Sequence, residues 1–237
     1  MMRYKLDKFI HGETINLNIP NINFAKKSNW YKFFNSDKNT KFLDHGVFPN
    51  TADKQIKFFS NIKNDNRLVL IICDKDENFI GVINLSSINY EKLSADISLI
   101  LNQDSSIGST PKNFLSALEA IALMTEHGFE KLGLNRISAG QCINLNKWQN
   151  IMELTGYKIE GVHKDKFVKG MIISDVMTIS CSKNDYLYLK KKRGKLWDNK
   201  NNMLKRIKKL PKATALKKIK DQLKFLDNQY YKKIFNL

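Results

Sequence analysis

The chain is poor in residues that build covalent or metal-held scaffolds. Among 237 residues there are three cysteines and four histidines. Cys73, Cys142 and Cys181 are odd in number, far apart and never in a CxxC pair. That spacing argues against a disulfide framework and against a zinc site, so no metal is expected. Each cysteine lies in an apolar, strand-like run, the setting of a reduced core thiol, and none has a histidine nearby in sequence to activate it. No apolar run approaches the roughly 20 residues that a membrane-spanning helix needs. The first residues, Met1 to Lys8, lack the apolar stretch of a secretory leader, and the expectation is a cytoplasmic protein. Acidic residues are scarce in one place above all. Residues 183–237 carry 18 Lys+Arg against 4 Asp+Glu, whereas residues 1–182 carry 22 against 19. The net charge of +17 is therefore concentrated in the last quarter of the chain.

What is there reads as one full domain with an appendage. Residues 1–66 are polar and irregular in pattern, with two short amphipathic helices expected at Trp30–Asn35 and from Thr51, a plausible N-cap, to Phe59. From Leu68 the pattern turns to strands. Leu68–Cys73 is continuously apolar, as in a strand buried on both faces. Asp74 to Asn78 is a polar turn leading to a second strand at Phe79–Leu85, and a third follows at Ala95–Leu101. After a Ser-, Gly- and Asp-rich loop, Thr110-Pro111 starts a helix that runs to about Phe129. Leu118, Ile121, Ala122, Thr125 and Phe129 form its apolar stripe. A strand at Leu134–Cys142, a short helix at Asn146–Thr155 closed by Gly156, and strands at Tyr157–Val162 and Met171–Cys181 complete the pattern. The fold class expected is α/β (α+β): a mixed, mostly antiparallel central sheet flanked by helices, with a C-terminal helical extension. Beyond Lys183 a short basic helix is expected at Asn201–Leu210. A longer one from Ala215 to Ile234 follows Thr214, with an apolar stripe and lysine-rich faces.

Several segments carry a resemblance to a known family. Gly128-Phe129-Glu130-Lys131-Leu132-Gly133-Leu134-Asn135-Arg136-Ile137 resembles the helix-to-strand junction of the GNAT acyltransferases, in particular their ribosomal-protein-acetyltransferase-like branch. Glu153-Leu154-Thr155-Gly156-Tyr157-Lys158-Ile159-Glu160-Gly161 resembles that branch's E-K-x-G-F-x-x-E-G segment. Phe79-Ile80-Gly81-Val82-Ile83 resembles its x-I-G-x-I strand, and Asp175 after Gly170 matches the opening of its last strand. The match spans about Leu68–Ser182. It implies a division into an acceptor-side segment (1–66), a cofactor-binding core (67–182) and a basic helical extension (183–237), with acetyl-CoA as cosubstrate. The family's cofactor loop, Q/R-x-x-G-x-G/A, falls on Lys112, Asn113, Phe114, Leu115, Ser116 and Ala117. Asn113 and Leu115 replace its glycines, and only Ala117 conforms. Leu115 is the residue most at odds with cofactor binding, because a side chain can block the close approach of a pyrophosphate to helix amides. Where the family places a cofactor-contacting asparagine this chain has Leu145, so the flanking Asn144 and Asn146 are the candidates. Met152 stands where a tyrosine acid is common.

The chemistry implied is attack of an amine on a thioester. It needs a proton acceptor and a fixed donor for the oxyanion, the latter expected from backbone N–H at Leu101-Asn102. Asp96, the one carboxylate of the third strand, and Ser98 on the same face are the catalytic candidates. His45 and His163 read as turn or surface residues, and His127 as favouring a helix C-terminus. The acceptor expected is a small-molecule amine, for instance an amino sugar on a nucleotide carrier in surface-polysaccharide synthesis. A protein N-terminus is the alternative. A reading of another class is a binding module that holds nucleic acid through the basic tail. The tail's apolar stripe is expected to pack on the main domain or on a second copy in a homodimer.

Overall fold

The computed structural model describes residues 5–43, 45–62, 66–101, 111–210, 217 and 232–233. Its centre is one eight-stranded sheet in the order β1-β2-β3-β4-β5-β6-β8-β7. The strands are β1 (Asp7–His11), β2 (Ile15–Ile19), β3 (Leu68–Asp74), β4 (Phe79–Asn89), β5 (Ser94–Leu101), β6 (Arg136–Cys142), β7 (Lys158–Lys169) and β8 (Ile172–Ser182). All neighbours pair antiparallel except β5 and β6, which are parallel and joined through the crossover helix α5 (Pro111–Glu130). A parallel pair needs such a crossover, because a tight turn can only reverse the chain.

The sheet is covered on both faces. Along β3, Leu70 and Ile72 enter a core with α5, while Val69, Ile71 and Cys73 enter a second cluster with Phe24, Trp30 and Phe33. This alternation is why β3 reads as unbroken apolar sequence. The expected helix stripe is also present: Leu118, Ile121, Ala122, Thr125 and Phe129 are all buried.

Two expectations about the ends of the chain need correction. Residues 1–66 are far from irregular. Their described residues hold the β1–β2 hairpin and four α-helices, α1 (Ile22–Lys27), α2 (Trp30–Phe33), α3 (Asp37–Thr40) and α4 (Ala52–Asn61). β2 was hidden by its polar alternates: Asn16 and Asn18 are buried beside Ile15 and Leu17, because β2 lies between β1 and β3. The buried Glu119 of α5 fastens the hairpin turn, accepting from the backbone N–H of Glu13 and Thr14 and from the Thr14 hydroxyl. Burial nonetheless raises its pKa.

At the other end, α7 (Lys183–Arg193) and α8 (Lys200–Lys208) join the α5 core. Tyr186, Leu196, Trp197 and Met203 are buried members of it. Trp197 Nε1 donates to Glu13 Oε2 at 2.9 Å and Arg193 donates to the Leu154 carbonyl at 2.6 Å. α7 was unforeseen because its lysines mask a good start: Ser182 and Asp185 form a reciprocal capping box. Packing therefore runs without a break across the expected boundary at 182, as far as residue 210. Ion pairs fasten this stretch to its surroundings and within itself: Asp185 to Lys158, Lys190 to Glu130 and Arg206 to Asp198. The helix expected over Ala215–Ile234 lies outside the described residues, save for single helical positions at 217 and 232–233. No helix among the described residues is long and apolar enough to cross a membrane.

Candidate active site

The sheet is split where its one parallel pair parts. β5 and β6 are in register only at Ser94–Arg136, Ala95–Ile137 and Asp96–Ser138. Beyond that point β5 continues on β4 to Leu101, and β6 continues on β8 to Cys142. The strands diverge, leaving a wedge whose two sides are the end of β5 and the end of β6. Gly81 of β4 permits the tight β4–β5 contact on one side. A Cβ there would lie 2.5 Å from the Ile100 carbonyl oxygen.

On the face carrying α1–α4, next to the wedge, is a cavity of about 640 Å³. Its floor is the outer face of β4 and β5, with Val82, Asn84, Ser86, Ser98 and Ile100. Its wall is α4 and the 45–50 loop. Thr51 caps α4, accepting from the Lys54 N–H. Gln55 ties α4 to α1, donating from Nε2 to the carbonyls of Ala25 (2.7 Å) and Ser28 (3.0 Å). Lys169 at the end of β7 donates to the carbonyls of Thr40 (2.8 Å) and His45 (2.9 Å) and so pins the loop at the cavity mouth.

Two carbonyl oxygens of the lining have no hydrogen-bond partner: Gln55 Oε1 and Asn84 Oδ1. The Gln55 amide is held in that orientation because its nitrogen already serves two backbone carbonyls. Asn84 Nδ2 donates to Ser98 Oγ at 2.8 Å. A buried, unserved carbonyl oxygen costs roughly 1–3 kcal/mol, a cost that an N–H or O–H donor entering the cavity would offset.

The sequence-derived candidates fall unevenly around this centre. Ser98 lies in the cavity floor. Asp96 is exposed on the same face, at the last β5–β6 pair before the wedge. Leu101 ends β5, while Asn102 is outside the described residues. Asn144 is exposed in the single 3-10 turn that follows β6, at the other side of the wedge. The side chains of Lys112, Asn113 and Asn146 lie outside the described residues. Phe114 and Ser116 are half-buried.

Leu115 requires a correction. It is only 4% exposed and belongs to the α5 core, as does Ala117. Its side chain is packed into the core instead of standing exposed at the helix start.

The histidines also sort out. His163 is exposed on β7 and does not line the cavity, whereas His45 does, its ring tilted against Phe34 at 5.0 Å. His127 is not a cationic cap. Burial and the nearby Lys131 lower its pKa, and it packs edge-on against Phe9. Burial pushes the Cys73 thiol up to about 11 and Cys181 to about 12, so neither supplies a thiolate.

Several matched segments turn out to be structural. Arg136 of β6 forms a two-pronged pair with Glu160 of β7, and Ser180 of β8 donates to the same carboxylate at 2.7 Å. The pair lowers the pKa of Glu160. Gly156 closes α6 (Asn146–Met152) and its following 3-10 turn with φ of 94°. Tyr157 is fully buried, with its hydroxyl 2.8 Å from Thr125 Oγ1.

Comparison with known proteins agrees with this architecture. Residues 24–158 match the acetyltransferase (GNAT) domain family, more than half of the chain. A crystal structure of spermidine N-acetyltransferase from Vibrio cholerae, in complex with CoA and spermine, superposes with a TM-score of 0.64. It is 18% identical and covers 73% of this chain and 98% of that one. A putative acetyltransferase from T. thermophilus superposes with a TM-score of 0.60 at 16% identity, covering 81% and 97%. At such identities the solved structures speak for the fold alone. No curated protein sequence matches the chain. Among the described residues the fold presents what the acyl donor needs: strands β5 and β6 parting after Asp96–Ser138, and a crossover helix whose residues Leu115 and Ala117 are buried. The chain belongs to the GNAT acetyltransferase family, enzymes that transfer an acetyl group from acetyl-CoA to an amine nitrogen.

Proposed function

We propose that the chain acetylates a primary amine on a small, hydroxyl-bearing acceptor seated in the cavity between α4 and the β4–β5 floor. The observation that carries this reading is the pair of unserved carbonyl oxygens, Gln55 Oε1 and Asn84 Oδ1, in side chains lining a cavity that adjoins the strand wedge. An amine and sugar hydroxyls are donors of the kind these oxygens lack, and Asn50, Ser86, Ser87 and Ser98 add further polar partners. This suits an amino sugar, including one on a nucleotide carrier, better than a folded protein's N-terminus.

In this reading acetyl-CoA lies along the wedge. Its pyrophosphate meets the backbone amides at the start of α5, over Lys112 to Ala117, and Asn144 contacts it from the β6 side. Backbone N–H at the end of β5, at Leu101, serves the thioester oxygen as negative charge develops there. Ser98 and Asn84 orient the amine. Asp96, exposed two residues before Ser98 on the same face, takes the amine's proton through water. With Met152 in place of a tyrosine acid and buried in the core, the leaving thiolate takes its proton from solvent. A thiol near pKa 8.5 makes that step inexpensive.

Titration calorimetry with acetyl-CoA, followed by assay of CoA release with amino sugars, tests this. Saturable binding and amine-dependent release are expected. No heat at millimolar acetyl-CoA would sink it.

A further inference from the structure

The floor of the cavity offers amide and hydroxyl groups, while its other walls are aromatic. Among the described lining residues, Trp30, Phe34, His45, Phe48, Phe58 and Phe59 carry aromatic rings. They run outward from the core. Buried Trp30 meets Phe34 edge-on at 5.1 Å, and Phe34 meets the exposed His45 at 5.0 Å. On α4, Phe58 is braced edge-on by Phe59 at 5.2 Å. Phe48 ends the series: it lines the cavity yet is 80% exposed.

The loop that displays Phe48 is fastened on both sides of it. Lys169 donates to the His45 carbonyl at 2.9 Å, and Lys54 Nζ to the Pro49 carbonyl at 2.9 Å. Asn35 and Asn50 exchange two hydrogen bonds, Asn35 Nδ2 to the Asn50 carbonyl at 2.9 Å and the Asn50 N–H to Asn35 Oδ1 at 2.7 Å. Gly46, with φ of 89°, sits so close to α3 that a Cβ there would lie 2.6 Å from Thr40 Oγ1. A braced loop that shows a phenylalanine to water forgoes the gain of burying it. Phe48 has no polar atom, so what it offers a ligand is chiefly burial and ring stacking, and a planar group takes both. We infer that the acceptor carries a planar ring as well as its amine, the ring packed on Phe48 at the mouth while the amine reaches Asn84 and Ser98 on the floor. At about 640 Å³ the cavity has the size of sites that take drug-sized ligands, which is room for a ring and an amine together. A nucleobase on a nucleotide-linked amino sugar and a simple aryl group are the two sources of such a ring. This rests on the acyl-transfer reading above and adds a second recognition element to that same cavity.

The test is CoA release from acetyl-CoA with two matched pairs of amines and with spermidine. The pairs are a UDP-linked amino sugar against the same sugar 1-phosphate, and phenethylamine against butylamine. The expected result is kcat/KM at least about tenfold higher for the ring-bearing member of one pair. Which pair shows the gap tells nucleobase from aryl group. Phe48→Ala, at an exposed loop position, should remove that gap, chiefly by raising KM; Phe48→Tyr should keep it. Equal rates within both pairs, a gap that survives in Phe48→Ala, or spermidine as the best acceptor would overturn the ring assignment while leaving acyl transfer standing. So would a dimer in sedimentation that Phe48→Ala turns into a monomer, because the ring would then serve a second copy. Absence of transfer to every amine, with acetyl-CoA bound, overturns both.

Discussion

The two faces of this sheet are made of similar strands and put to opposite uses. On one, α5, α7 and α8 close a dry core from Ile15 to Met203. On the other, α1, α2 and α4 pack tightly only against β3 and the start of β4, through Phe24, Trp30 and Phe33, and stand away from the rest of β4 and β5. The packed face carries the stability. The hollow face leaves polar side chains unserved, at a cost in stability that a bound acceptor would return. The lesson is that α4 is held to α1 by a hydrogen-bonded glutamine and by Phe59 packed edge-on against Phe24, so space remains between α4 and the β4–β5 floor.

That contrast can be broken on purpose, and the largest effect should come from the packed face. A chain cut after residue 182 loses the buried Tyr186, Leu196, Trp197 and Met203. At about 1.5–3 kcal/mol for each fully buried side chain, this approaches the whole stability of a domain. It should fail to give a cooperative thermal transition, whereas a cut after 210 should retain one. Next come single truncations in the same core. Leu118→Ala should cost about 2–5 kcal/mol in urea unfolding, and Leu115→Ala a similar amount. Leu115→Gly adds about 1 kcal/mol for the loss of helix propensity and should bring no gain in acetyl-CoA affinity.

The hollow face should behave the other way. Ser98→Ala should leave the unfolding midpoint within error and reduce kcat/KM by about tenfold, or roughly 1.4 kcal/mol. A large stability loss there would erase the distinction between the faces. The smallest effect belongs to the rim of the packed face. Two hydrogen bonds of 2.6 Å from Arg206 hold the Asp198 carboxyl well below its usual pKa. A depressed folded-state pKa means the pair's contribution is present above the ordinary carboxylate range near 4 and is lost as pH falls through the folded value. Asp198→Asn should therefore cost about 1 kcal/mol at neutral pH, and the gap to the parent protein should close in acid.

The legible parts of the sequence were those where one local signal sufficed. The apolar run of β3, the Thr51 cap, the α5 stripe and Gly156 with its positive φ each follow from a short stretch of residues, and each is present. The segments that carried the family resemblance were legible too, though for a structural reason: Gly81 admits β5, and Arg136 with Glu160 braces β6 against β7. Of the residues that line the cavity, the sequence pointed to Ser98 of β5. It gave no sign of Gln55, Asn84, Lys54 or Arg67, which lie on α4, on β4 and ahead of β3 and share a cavity only after folding.

Sequence by itself determined the order of strands and helices from Leu68 to Ser182, the family and the chemistry that family performs. Periodicity, caps and turn residues act over a few neighbours and need no partner to be read. The tertiary structure alone decided three matters. It turned the polar N-terminal segment into two sheet strands and the cavity wall, because burial of Asn16 and Asn18 depends on the neighbouring strands. It drew residues 183–210 into the core, because a lysine-rich helix can bury one face while its charges pair outward. And it brought Gln55 of α4, Asn84 of β4 and Ser98 of β5 to one cavity, because a site is a sum over residues that only the fold brings together.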